Sequence, residues 1–218
     1  MNKIIEQNRN VCENINWISE DIWESSGDFY GLPRKCYNEI NNRLSNDLSY
    51  TDIIVFLIRK YELKNYLEIG VSVLKNIYQV AHNTTTNIIA FDINIKNPCV
   101  KLPRPLKYIK GNVMIKEDWE PLKALNKNHS IIFSDALHTN EGLNAEWEYY
   151  IKDHLANNFI IIWDDAYTAP LNHIKNKFIP QLERKYGKIY TKLISVQEWI
   201  PNVYHPIFIV SNFSFVIE

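Results

Sequence analysis

YLEIGVSVLKNIYQVA, residues 66–81, is the stretch on which the fold turns. Tyr66-Leu67-Glu68-Ile69-Gly70 reads as a short buried strand ending in a turn, and Ser72 to Ala81 reads as the helix after it. The pattern repeats outward. Asn87 to Asp92 (NIIAFD), Leu106 to Lys110 (LKYIK), Ser130 to Asp135 (SIIFSD) and Phe159 to Asp165 (FIIIWDD) read as further strands. Asn140 to Ala156 and Leu171 to Tyr186 read as helices, and Ile189 to Ser195 with Pro206 to Phe215 as a closing hairpin. Strands alternating with helices imply a parallel sheet covered by helices on both faces. Runs such as FIIIW, apolar without alternation, suit strands buried on both sides. The fold class is α/β, a Rossmann-like sheet.

No strand signal precedes Asn65. Ile4, Ile5, Val11, Ile15, Ile18 and Ile22 recur at helical spacing, Gly27 to Pro33 is a break, and Cys36 to Leu44 is a second helical piece. Ser49-Tyr50-Thr51-Asp52 reads as a helix start before IIVFLIRKY. The expected organisation is a helical segment over 1–62 and a sheet domain over 63–218.

Composition narrows the function. Across 218 residues, 24 Lys and Arg meet 25 Asp and Glu, a formal charge of -1. Nucleic acids and anionic membranes attract a positive field that this chain does not offer, so neither is expected as a partner. The 6 Trp, 13 Tyr and 9 Phe argue against disorder. Cys12, Cys36 and Cys99 form no CxxC pair, which disfavours a disulfide framework or a thiolate zinc site. MNKIIEQNRN lacks the apolar core of a signal peptide. The longest purely apolar run, Ile53 to Ile58, is far short of the roughly 20 residues that span a bilayer. A cytoplasmic protein is expected.

In open α/β sheets, ligands bind outside the carboxyl ends of the strands. Those ends carry Gly70, Asp92, Gly111-Asn112, Asp135 and Asp164-Asp165. Gly70 lets the backbone pass close to a ligand. Asp92 follows it by about twenty residues, where dinucleotide-type folds place an acid for ribose hydroxyls; a turn or N-cap aspartate is the alternative. Asn112 suits a base contact or a turn equally. Asp135, Asp164 and Asp165 end two strands expected to be neighbours. Clustered carboxylates repel unless a cation neutralises them, and oxygen ligands suit Mg²⁺, Mn²⁺ or Ca²⁺. His138, three residues after Asp135, could take a proton from a hydroxyl held nearby. Glu146 is expected to be exposed, and Trp147, Tyr149 and Tyr150 to pack. His82, His129, His154, His173 and His205 are expected at the surface or in packing.

The runs YLEIGVSVLKNIYQVA, IIAFD, IFSDALHTNEG and IIIWDDAY together resemble class I S-adenosylmethionine-dependent methyltransferases. The nearest branch is the metal-dependent macrolide-sugar O-methyltransferases. The resemblance runs from about Leu63 to the C-terminus and implies a seven-stranded sheet whose last strand is antiparallel. It implies that Glu68, Gly70 and Ser72 hold the methionine end of the cofactor, Asp92 the ribose and Asn112 the adenine. Asp135, also close to the cofactor, would be the first metal ligand, with Asp164 and Asp165 completing the site around Mg²⁺ or another divalent cation. His138 matches the base of an Asp-x-x-His pattern. The implied acceptor is a small polyhydroxylated molecule, a sugar first of all. The N-terminal helices would form a lid, with Trp17, Trp23, Phe29 and Tyr30 lining it or simply docking the helices onto the sheet, or would pack across a homo-oligomer interface. Two positions depart from the family, Leu74 and Ala136, each where glycine is usual. A leucine at 74 would narrow the methionine site, which leaves two alternatives open: an inactive binding or scaffold module on this fold, and a metal-dependent enzyme that transfers no methyl group.

Overall fold

Seven strands form one sheet: β1 Asn65–Ile69, β2 Asn87–Asp92, β3 Leu106–Lys110, β4 His129–Ser134, β5 Leu155–Trp163, β6 Tyr190–Gln197 and β7 Tyr204–Ser211. Their order is β3-β2-β1-β4-β5-β7-β6. The first five run parallel, and β7 pairs antiparallel with both β5 and β6. These features belong to a computed structural model that describes residues 50–72, 75–94, 102, 104–197 and 204–217. The expectations for the helices and aromatic lid before residue 50, the three cysteines and Leu74 fall outside the described residues.

The apolar strands are explained by the two cores they divide. Side chains alternate across a strand. Ile131 and Phe133 of β4, with Ile160 and Ile162 of β5, enter one core. Ile132, Ile161 and Trp163 enter the other. Helix α1 (Tyr50–Lys60) and helix α2 (Lys75–Asn83) cover the first face. Ile53, Ile54 and Leu57 of α1 are fully buried there. Helix α1 lies in the stretch read as the N-terminal segment, yet its apolar stripe is part of the sheet's own core. The second face takes α4 (Asn140–Tyr149) and the helical stretch from Thr168 to Tyr186. Between β3 and β4 lies a short helix, α3 (Glu120–Lys123), entered through a 3-10 turn at Lys116–Trp119 that the sequence reading did not include.

Several boundaries differ from expectation: β5 begins at Leu155 rather than Phe159, β7 spans Tyr204–Ser211 rather than Pro206 to Phe215, and three helical readings change. The helix read over Asn140 to Ala156 ends at Tyr149. Tyr150 leaves helical backbone at φ -146, Ile151–Asp153 make a 3-10 turn, and the chain then enters β5, with the His129 amide donating to the His154 carbonyl at 2.8 Å. Tertiary pairing overrides a helical pattern here. The helix read from Leu171 begins at Thr168 as α5 (Thr168–His173), widens into a π-turn at Ile174–Phe178 and resumes as α6 (Ile179–Tyr186). Pro180 has no amide to close an ordinary helical bond, so a register change at its entrance is expected. Ser72, read as helical, is in a turn with φ 48.

The strand order reverses between β1 and β4, and this switch point is where such sheets open a crevice at their carboxyl ends. Ile69 is level with Phe91 and with Ser134, and Ser134 with Trp163. Gly70, Asp92, Asp135 and Asp164 therefore emerge side by side. No helix among the described residues is long and apolar enough to cross a membrane.

Candidate active site

Gly70 is at φ 79, and a Cβ built on it would lie 2.2 Å from the Asp135 carbonyl oxygen. Only glycine fits that crossing. It locks the β1 loop to the start of the β4 loop, which the Asp135 amide reinforces by donating to the Ile69 carbonyl at 2.8 Å.

Asp92 receives this loop. Its Oδ2 accepts from the Val71 amide at 2.7 Å and the Ser72 amide at 3.1 Å, and its Oδ1 accepts from the Asn94 amide at 2.7 Å. A carboxylate has about four lone-pair sites, so three are taken and capacity remains on Oδ1. Glu68 is turned the other way, into the core under α1 and α2. It accepts from the Tyr66 hydroxyl at 2.7 Å and from Asn76 at 3.2 Å, and Asn76 in turn accepts from Thr51. Asn112 is in a turn: its side-chain oxygen accepts from the Met114 amide at 2.9 Å and its own amide donates to Asp118 at 2.8 Å.

The acids and histidines after β4, after β5 and on β7 converge. His138 Nε2 is 3.4 Å from Asp135 Oδ1 and 3.6 Å from Asp165 Oδ2. His205 Nδ1 is 3.0 Å from Asp164 Oδ1 and 3.1 Å from Asp165 Oδ1. Successive residues of an extended chain point apart. Asp164 and Asp165 nevertheless reach the same imidazole, because Asp165 takes left-handed backbone at φ 45. Asp is one of the few side chains that visit this region readily. The loop is pinned by the Asp164 amide on Ser134 and by the Ala166 amide on Pro206, at 3.0 and 2.8 Å.

The electrostatics reflect crowded carboxylates. Asp164 is 7% exposed, and burial together with the charges of Asp135 and Asp165 holds its carboxyl well above the usual range. Asp165 is held below that range, chiefly by the hydrogen bond from His205 and also by His138. Burial opposes charging of His138, but the hydrogen bond to Asp135 and the charges of Asp135, Asp165 and Glu146 outweigh it and raise the imidazole above its ordinary value.

Two expectations are corrected. His205, read as a surface or packing residue, is 3% exposed and lies in the acidic cluster. Its ring sits edge-on to Tyr50, with centroids 5.4 Å apart. Strand β7 lies next to β5 only through the long-range order of the sheet, so no local pattern marks this histidine. Glu146, read as exposed, is fully buried. It accepts from the Ser134 hydroxyl at 2.5 Å, and burial pushes its carboxyl up to about 8. Leu143, Glu146 and Trp147 share one face of α4, so helical spacing alone could have placed it inside. Trp147 and Tyr150 pack as expected, and His129 is buried against the Tyr150 hydroxyl at 2.8 Å.

The strand order, the switch-point crevice and the glycine after β1 define the Rossmann-like methyltransferase fold. No protein-family profile and no curated protein matches the sequence. Solved structures that share the fold include an O-methyltransferase from Bacillus cereus in complex with S-adenosylhomocysteine, at 12% identity and a TM-score of 0.53 over 95% of this chain and 99% of that one. Another is the O-methyltransferase TomG from Streptomyces achromogenes, involved in tomaymycin synthesis and bound to S-adenosylmethionine, at 8% identity and 0.55 over 96% of each chain. The methyltransferase MycE of the mycinamycin pathway, bound to Mg, S-adenosylhomocysteine and mycinamycin VI, matches 76% of this chain and 53% of its own at 16% identity and 0.50. At these identities the likeness is one of fold.

Proposed function

We propose that the protein is an S-adenosylmethionine-dependent O-methyltransferase, assisted by a divalent cation, acting on a hydroxyl of a sugar or similar polyhydroxylated small molecule. The observation that carries this reading is His138 poised between Asp135 and Asp165 at the switch point of a methyltransferase sheet.

The residues present fit both groups. Asp164 Oδ1 is a buried oxygen without a hydrogen bond among the described residues, which suits a cation ligand. Asp135, Asp164 and Asp165 would hold the cation. Asp92 keeps acceptor capacity on Oδ1 for a ribose hydroxyl, and Gly70 keeps the β1 loop tight against Asp135. The acids also favour a cationic cofactor electrostatically. When bound, S-adenosylmethionine supplies an activated methyl group and the cation supplies Lewis acidity.

This chain's residues then have definite tasks. His138 takes the acceptor's hydroxyl proton at Nε2, and Asp135 orients the ring and stabilises the imidazolium that forms. Charge neutralisation among the carboxylates would lower His138 toward its ordinary value and leave more of it free to act as a base. The test is a methyl-transfer assay by mass spectrometry over sugar, nucleotide-sugar and catechol acceptors, with and without chelator. Cation-dependent transfer that Asp164→Ala abolishes is expected; turnover unchanged in that variant would remove the metal from the reading.

A non-catalytic module on the same fold is the second reading. It rests on Leu74, which stands where the family usually has glycine. It requires that S-adenosylmethionine neither binds nor raises the melting temperature.

A further inference from the structure

We infer that His205 is itself a metal ligand, so that the site is a mixed nitrogen and oxygen centre preferring a transition-metal dication over Mg²⁺. This rests on the proposed metal site and changes its composition. Asp164, Asp165 and His205 each offer one donor atom, and the three lie within 4.8 Å of one another. His205 Nδ1 stands 3.0 Å from Asp164 Oδ1 and 3.1 Å from Asp165 Oδ1. Bonds of roughly 2.1 Å to a divalent metal place neighbouring octahedral donors about 3.0 Å apart. The separations seen are those of one ligand edge shared with each carboxylate.

A second observation points to a ligand. Asp164 is 7% exposed, and its Oδ1, despite its approach to His205, takes no hydrogen bond among the described residues. A buried carboxylate oxygen 3.0 Å from an imidazole nitrogen, close enough for an ion pair but outside hydrogen-bond geometry, is what a shared cation would satisfy. The framework is fixed before any cation arrives. His205 is locked on β7 under Tyr50, and Asp165 holds a left-handed backbone that turns its carboxylate inward.

The donor type decides the metal. Carboxylates alone suit Mg²⁺, Ca²⁺ and Mn²⁺, whereas imidazole adds affinity for the later transition metals, following the Irving–Williams order. The structure therefore assigns this site a preference for ions such as Co²⁺ or Zn²⁺, with Mn²⁺ accepted.

The full-length protein, stripped with chelator and loaded with Mn²⁺, can be examined by pulsed electron paramagnetic resonance for ¹⁴N coupling to the metal. Calorimetric titrations with Co²⁺ and Mg²⁺ run in parallel. The expected result is nitrogen coupling in the wild type and in His138→Ala, lost in His205→Ala, with Co²⁺ affinity falling about 10–100-fold in that variant and Mg²⁺ affinity changing much less. A drop in affinity alone would not suffice, since losing an outer hydrogen bond has a similar effect. The wild-type spectrum needs no variant to fold. Bound Mn²⁺ without nitrogen coupling, or coupling lost only in His138→Ala, overturns this inference and leaves the oxygen site standing. No Mn²⁺ binding at all overturns the metal reading with it.

Discussion

Replacing Gly70 by alanine strikes the point where β1 and β4 lock the site together. The added Cβ would stand 2.2 Å from the Asp135 carbonyl oxygen, 2.5 Å from its carbon and 2.7 Å from Ala136 Cα. All three are backbone atoms, so no side-chain rotation relieves the clash. The chain must also keep φ 79, which costs an L-residue about 1–2 kcal/mol. Moving the two loops apart adds roughly 1–3 kcal/mol, as for other overpacked sites. The sum, about 2–5 kcal/mol, lowers the melting temperature by roughly 4–20 °C for a chain of this size. Urea unfolding followed by tryptophan fluorescence measures it directly. Displacement of Asp135 should also carry the His138 contact with it, so cation affinity should fall in protein that remains folded. A loss under 1 kcal/mol with unchanged cation affinity would refute the claim that this crossing is what positions Asp135.

Glu146→Gln should flatten the pH dependence of stability. A carboxyl raised from 4.5 to about 8 in the fold binds a proton that the unfolded chain has released, so stability is full below pH 4.5 and falls as pH rises toward 8, by roughly 5 kcal/mol at most. Equilibrium unfolding at a series of pH values should show that slope in the wild type and a shallower one in the variant. Asp164→Asn should raise the melting temperature in chelator at pH values where the wild-type carboxyl is ionised, because the amide carries no charge for Asp135 and Asp165 to repel, and should abolish the stabilisation by added cation. A thermal-shift series reads both effects. His138→Gln should lower kcat by about 10²–10⁴-fold while leaving cofactor affinity within a few-fold, as single-turnover and binding measurements would show.

The sheet was legible because its strands are continuous apolar runs, each closed by a turn or an acid. Asn87–Asp92 and Leu106–Lys110 match the reading residue for residue. The row of Gly70, Asp92, Asp135 and Asp164 was legible for the same reason, since strand ends in such a sheet come level. His205 was not. It enters the cluster only because β7 inserts antiparallel beside β5, a pairing that joins residues 45 to 51 positions apart. Glu68 shows the opposite limit. The resemblance placed it at the methionine end of the cofactor, and alternation along β1 turns its side chain beneath α1 and α2 with Tyr66. Asp92 ended where expected, but nothing in its spacing foretold that the amides of Val71 and Ser72 would converge on it.

The measurement closest to the central claim is a calorimetric titration of the protein with S-adenosylmethionine, with and without a divalent cation. Saturable binding in the micromolar range, with Asp92→Ala weakening it at least tenfold, is the result expected of a methyltransferase. No heat of binding under either condition would contradict the proposal and leave the fold without its cofactor.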